Sequence, residues 1–180
     1  MLVFACSPHA GGATDRLAQA AIAGASPARP MAIIVRDYAV APCRGCQACA
    51  AADCVLQPDG ADFLFDQLAS SDRVIFVSPI YFYALPGQFK LFIDRSQKFW
   101  ACGQPVPRRQ PKKAAVLLAA GRRRGEKLFQ GALLTLKWFL KPFGYEIAAQ
   151  RLLTGLDFAP PDLGCAFELG HEVASWGQQG

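Results

Sequence analysis

Five short runs rich in apolar and β-branched residues punctuate the chain, at residues 1–6, 31–35, 73–78, 113–119 and 145–152. The second, MAIIV, lacks apolar/polar alternation, as expected of a strand covered on both faces. Each run is followed by a segment with helical spacing, over 15–25, 61–69, 86–99, 125–143 and 161–176. In the third helix Phe89, Phe92, Ile93 and Ser96 share a face, and Pro86 stands at its start. Leu128, Leu133, Leu136 and Leu140 gather on one side of the fourth. Strands alternating with helices across short connections predict a parallel sheet with right-handed crossovers and helices on both faces.

A chain of 180 residues, 52% hydrophobic and 18% charged, has material for one domain with a full core. A single domain over residues 1–180 is therefore expected, with a cysteine-rich loop at 42–60. No segment joins a cationic start to an apolar run and a small-residue cleavage site. The longest uncharged stretch, 74–89, is broken by Ser78, Pro79, Pro86 and Gly87. No membrane partner and a cytoplasmic location are expected. In that reducing setting, seven cysteines argue for ligands, small buried hydrophobes or redox chemistry over a disulfide framework.

The net charge of +5 raises the question of nucleic acid. One basic cluster is Arg108, Arg109, Lys112 and Lys113; the other is Arg122, Arg123, Arg124 and Lys127. They flank the fourth strand, roughly 20 Å apart at about 3.3 Å per residue, and no aromatics are interleaved. Solvated surface and contacts to anionic ligands account for them better than a nucleic-acid stripe.

Four cysteines, Cys43, Cys46, Cys49 and Cys54, fall within one short loop read as CRGCQACAAADC. Zinc sites usually join two separated C-x-x-C pairs, and that separation is absent. A C-x-x-C-x-x-C run wraps corners of an iron-sulfur cluster, with a fourth thiolate nearby. Three readings stay open: a [4Fe-4S] cluster, cysteines that are empty or structural, and a zinc ion. Cys6 ends a strand and reads as a small hydrophobe, while Cys102, Cys165 and His171 show no catalytic context.

In an open parallel sheet of order 2-1-3-4-5, ligands bind beyond the carboxyl ends of strands one and three. After strand one, Ser7, Gly11, Gly12 and Thr14 offer hydroxyls and backbone N–H groups at a helix N-terminus, suited to a phosphate monoester; His9 is a further donor. A plain helix cap would use the same residues. After strand three, Pro79, Ile80, Tyr81, Phe82 and Tyr83 set aromatic surface where a flat ring could stack, or where helices or a second subunit could pack. Phe99 and Trp100 are further contact candidates. After strand four, Gly121 permits close backbone approach and Arg122 adds a cation. No G-x-G-x-x-G follows a strand, which favours a mononucleotide over a dinucleotide.

The segments CSPHAGGAT, PCRGCQACAAADC and SPIYFYALPGQFKLFIDR together resemble the flavodoxin-like NADPH-dependent FMN reductases, and among them the iron-sulfur flavoproteins. The resemblance implies a flavodoxin-like three-layer fold. It implies FMN, with its phosphate on Ser7, His9, Gly12, Ala13 and Thr14. The ring would lie against Pro79, Ile80, Tyr81, Phe82 and Tyr83, with Gly121 and Arg122 at its rim. Lys90, Asp94 and Arg95 match the family's helix and read as structural. The chain departs from the family at His9, where Arg or Lys is common, and at Ala13, where Asn is. The implied activity is an FMN-dependent oxidoreductase using NAD(P)H, with a small-molecule or ferredoxin-like donor or acceptor and a homodimeric or homotetrameric assembly. The rival readings are a non-enzymatic flavodoxin-like electron carrier and a flavin-free metal-binding domain.

Overall fold

The computed structural model describes residues 1–101, 111–125 and 127–176. Cys102, Arg108, Arg109 and most of the connection at 103–111 lie outside the described residues. Strands β1 (Leu2–Ala5), β2 (Met31–Ile34), β3 (Arg73–Pro79), β4 (Lys112–Ala119) and β5 (Tyr145–Leu153) form one sheet in the order β2-β1-β3-β4-β5. Every pairing is parallel. This is the expected flavodoxin-like fold, with the switch between β1 and β3.

The sheet's two faces differ in bulk, and the strand pleat explains how. Phe4, Phe76, Val116 and Leu118 point to one side, where α2 (Gly60–Ser70), α3 (Gly87–Arg95) and α5 (Gln130–Leu140) bring Leu64, Leu68, Phe89, Phe92 and Phe139. That layer is aromatic: Phe4 stacks on Phe76 at 4.8 Å, and Phe92 meets Phe139 edge-on at 5.3 Å. Val3, Ala5, Ala115, Leu117 and Ala119 point to the other side, against α1 (Ala13–Gly24) and α6 (Leu163–Ser175). Small residues let these helices come very close. A Cβ on Gly24 would sit 2.0 Å from the Phe167 carbonyl oxygen, and one on Gly170 would sit 2.0 Å from that of Ala21.

Several elements depart from expectation for local reasons. The helix expected over 86–99 is two, α3 and α4 (Gln97–Ala101), parted at Ser96, whose hydroxyl bonds back to the Ile93 carbonyl at 2.6 Å. The helix expected from residue 125 begins only at Gln130, preceded by a turn with Lys127 in the left-handed region. It ends in a 3-10 turn, Lys141–Phe143, closed by Gly144 at φ 82°. Strand β2 is covered on both faces only in its carboxyl half, since Met31 and Ala32 are exposed at the sheet edge. Lys112, expected on the surface, is buried, and its ammonium donates to the Leu68 and Ala69 carbonyls at the end of α2. Burial lowers its pKa. Among the described residues, no helix is long and apolar enough to cross a membrane.

Candidate functional site

The chain leaves β1 into a loop that is shaped almost entirely by polar bonds. The Ser7 hydroxyl, buried, accepts the His9 N–H at 3.2 Å and donates to the His9 carbonyl at 3.1 Å. Gly11 takes φ 71°, a conformation costly for other residues, and donates its N–H to the Asp15 carboxylate at 2.9 Å. The exposed His9 ring lies against Gly12, where a Cβ would come within 2.8 Å of its Cδ2. Gly12 is the N-cap of α1, and among the described residues no side chain caps that helix. The N–H groups of its first turn, which includes Ala13 and Thr14, are therefore presented to an external acceptor.

Two charged residues behind this loop were not singled out from the sequence. Arg36, just beyond β2, forms a two-pronged pair with Asp15 at 3.0 and 2.9 Å and donates to the Ser7 carbonyl at 3.2 Å. The only sequence signals were an acid in the first turn of a helix and a lone cation after a strand, neither of them specific.

The loop after β3 turns back on itself at once. Tyr81 and Ala84 exchange backbone hydrogen bonds of 3.0 and 2.9 Å, closing a turn whose central residues, Phe82 and Tyr83, have φ 50° and 64°. This is the type I′ geometry, normally filled by Asn and Gly. Here it holds two aromatics, and Phe82 is fully exposed. Backbone strain of this kind is concentrated at functional sites. Pro79 is buried and Ile80 half-buried; the Ile80 N–H continues the ladder to the Ala119 carbonyl at 2.8 Å, so this turn and the loop after β4 leave the sheet side by side.

That third loop is stitched to the chain beyond β5. Gly155 N–H reaches the Arg122 carbonyl at 2.7 Å, and Asp157 N–H reaches that of Gly121 at 3.2 Å. The Asp157 carboxylate lies 2.3 Å from where a Gly121 Cβ would be, so the small residue makes room for this acid. The Arg122 guanidinium donates to the Tyr83 hydroxyl at 3.4 Å, joining the rim to the aromatic turn. Arg123 stacks on Phe158 with 4.5 Å to the ring centre.

The cysteine loop is pinned at its neck. Asp59 caps α2 through the Ala61 N–H at 2.8 Å, accepts the Ala41 N–H at 2.8 Å, and pairs with Arg95 at 2.6 Å. Arg95, nearly fully buried, also donates to the Ala41 carbonyl at 3.3 Å. Burial alone would raise the Asp59 pKa, but the two N–H donors and the guanidinium outweigh it, and the carboxyl is held low. The structural reading of Arg95 thus has a physical basis, and Lys90 with Asp94 forms the expected i,i+4 pair at 2.6 Å.

Cys43, Cys46, Cys49 and Cys54 all line one cavity of about 250 Å³, with Val55, Leu56, Gln97 and Ala101 completing its wall. All four are free thiols. Among the described residues, no three His, Cys, Asp or Glu side chains are grouped to hold a single metal ion.

Of the other aromatic contact candidates, Phe99 is half-buried, packed on Phe65 and Phe143 against the core, whereas Trp100 is partly exposed against Trp138. A larger groove, about 1000 Å³, runs between α5 and β5 along Leu134, Lys137, Trp138 and Gln150. It shares no residue with the loops described above.

A family model described as NADPH-dependent FMN reductase matches residues 1–141. Iron-sulfur flavoproteins are among the curated relatives. One from Methanosarcina thermophila is 31% identical over 64 residues, 36% of this chain and 34% of that protein. One from Archaeoglobus fulgidus is 29% identical over 133 residues, 73% of this chain and 58% of that protein. These matches span about a third of the first relative's length and 58% of the second's. Among solved structures, an azoreductase from Bacillus anthracis str. Sterne superposes with a TM-score of 0.66 at 20% identity, covering 96% of both chains. At that identity the likeness is one of fold.

Proposed function

The chain belongs to the NADPH-dependent FMN reductase family, and from that premise we propose that it is an FMN-dependent oxidoreductase that draws electrons from NAD(P)H. The observation that carries this reading is the pairing of an uncapped helix N-terminus after β1 with an exposed aromatic turn after β3, at the switch point of the sheet.

Ser7, His9, Gly12, Ala13 and Thr14 would hold the FMN phosphate. Pro79, Ile80, Tyr81, Phe82 and Tyr83 would flank the ring, with Gly121 and Arg122 at its rim. When bound, FMN supplies a ring that takes up hydride or single electrons. The chain's own work is placement. The first turn of α1 attracts the anion, the aromatic turn supplies a flat apolar wall, and Arg122 fixes Tyr83 beside it. No acid–base pair is required. The exposed cations Arg122 and Arg124 are available to the phosphates of a nicotinamide nucleotide.

Cys43, Cys46, Cys49 and Cys54 are read as ligands of a [4Fe-4S] cluster, supported by their shared cavity and by the names of the curated relatives. A ferredoxin-like carrier then becomes a fitting partner, and a quinone or another small acceptor serves hydride chemistry. The chain is taken as one FMN-binding domain over residues 1–180, in a homodimer or homotetramer, in the cytoplasm. Partly exposed Tyr81, Tyr83 and Trp100 supply apolar contact area for such an assembly.

The test is steady-state oxidation of NADPH and NADH by the protein purified without oxygen and loaded with FMN, with a quinone acceptor, alongside iron, sulfide and flavin assays. Turnover with bound FMN is expected. Bound flavin without turnover on any acceptor would leave a one-electron carrier instead, and a chain that binds no flavin would overturn the reading.

A further inference from the structure

We propose that Arg36 and Asp15 act as one positioning unit that makes the loop after β1 discriminate a phosphorylated flavin from its phosphate-free form. The inference rests on the FMN reading above and assigns roles to two residues outside the phosphate loop's own sequence.

The loop itself, Ser7 to Thr14, contains no Arg or Lys. A fixed cation is brought from beyond another strand: Arg36 follows β2, which pairs with β1, and bonds to Ser7 and Asp15. Its guanidinium grips both oxygens of Asp15 and the Ser7 carbonyl. Asp15 in turn holds the Gly11 N–H. The unit therefore fastens both ends of the turn, Ser7 and Gly11, and so sets the direction of the N–H groups at Gly12, Ala13 and Thr14. The pair is mostly shielded, with side-chain exposures of 18% and 11%, so water screens it weakly.

Charge makes the arrangement more than a brace. A carboxylate in the first turn of a helix suits the helix dipole but repels a phosphate arriving at the same end. Arg36 cancels that charge with a planar fork that a lysine cannot reproduce. Removing Arg36 would leave Asp15 uncompensated beside the phosphate. Removing both charges would restore neutrality and lose only the bracing. This sign pattern depends on the ligand's phosphate and vanishes for riboflavin.

The experiment is titration of flavin-free protein with FMN and with riboflavin, followed by quenching of flavin fluorescence, for wild type, Arg36→Ala, Arg36→Lys, Asp15→Asn and the double variant Asp15→Asn/Arg36→Ala. FMN affinity is expected to fall about thirtyfold or more in Arg36→Ala, while riboflavin affinity moves by less than about threefold. The double variant should regain about tenfold for FMN, and Arg36→Lys should fall between wild type and Arg36→Ala. Equal losses for both flavins would reduce the pair to a fold element and overturn the proposal, as would an FMN affinity unchanged in Arg36→Ala. If Arg36→Ala does not fold, as read by circular dichroism, the comparison of the double variant with Asp15→Asn decides. There the proposal requires FMN affinity to drop when Arg36 is lost and riboflavin affinity to stay. Wild-type protein that binds neither flavin would overturn the FMN reading and this inference with it.

Discussion

The aromatic turn offers a sharp test because stability and binding should move in opposite directions when it is changed. Phe82 holds φ 50° with its side chain fully in solvent, so it bears the cost of the left-handed conformation with no compensating burial inside the chain. That cost is about 1–2 kcal/mol for an ordinary L residue, and Asn bears least of it among residues with a side chain. Phe82→Asn keeps the turn, and the chain gives up no internal contact of the ring. The flavin-free protein should become more stable by about 1 kcal/mol, a rise in melting temperature of roughly 2–4 °C for a chain of this size. The same substitution removes apolar ring surface from the proposed flavin wall, and a lost aromatic contact of about 0.5–1.5 kcal/mol corresponds to FMN binding weaker by roughly two- to twelvefold. Urea denaturation followed by circular dichroism reads the first effect, and FMN titration reads the second. A variant less stable than wild type would show that the ring is buried against something beyond its own chain. A variant with unchanged FMN affinity would remove Phe82 from the ring site.

Gly170→Ala should cost about 2 kcal/mol despite the better helix propensity of alanine, because the new methyl meets the α1 backbone at 2.0 Å and no side chain can swing aside. Gly164→Ala, exposed on the same helix with its nearest contact at 3.3 Å, should be neutral or slightly stabilising; equal effects in denaturant midpoints would refute the close crossing. Asp59 has a folded-state pKa below its unfolded value, so its contribution is fully present above the ordinary Asp pKa of about 4 and is lost as pH falls through the lowered value. Asp59→Asn should flatten that acid limb of a stability-against-pH profile, and an unchanged limb would count against the clamp. Tyr145→Phe, which strips a buried hydroxyl from the Leu68 and Ser71 carbonyls at 3.0 and 2.7 Å, should destabilise by about 1–3 kcal/mol in the same urea assay.

The strand order could be read from the chain because it follows from local periodicity and one topological rule, the rule that also led to the loops after β1 and β3. Buried strands such as VIFV at 74–77 have no polar face, and helical spacing intervenes between them. Element ends were less legible. The break at Ser96 depends on one hydroxyl finding the Ile93 carbonyl, and the late start of α5 depends on Lys127 taking a left-handed conformation. Neither leaves a periodic trace. The charged partners behind the loops were hidden for another reason. Arg36 meets Asp15 across 21 positions, Arg95 meets Asp59 across 36, and Asp157 closes over Gly121 from the far side of β5. Such pairings exist only once the sheet has assembled. Lys112 shows the same effect in reverse: a lysine in a basic cluster suggests solvent, until the carbonyls at the end of α2 are placed above it.

The tie among Ala41, Asp59 and Arg95 has an evolutionary consequence. The two ends of the cysteine loop, at Ala41 and Asp59, are tied to each other and to Arg95, which stands on a helix from a different part of the chain. Its interior can therefore lengthen, shorten, or gain and lose thiols without shifting β2 or α2 out of register. The loop is thereby built as a replaceable cassette, seated on a scaffold that does not depend on its contents. The loop together with its Asp59 and Arg95 anchors, rather than the thiols alone, is the natural unit for transplanting it onto a relative.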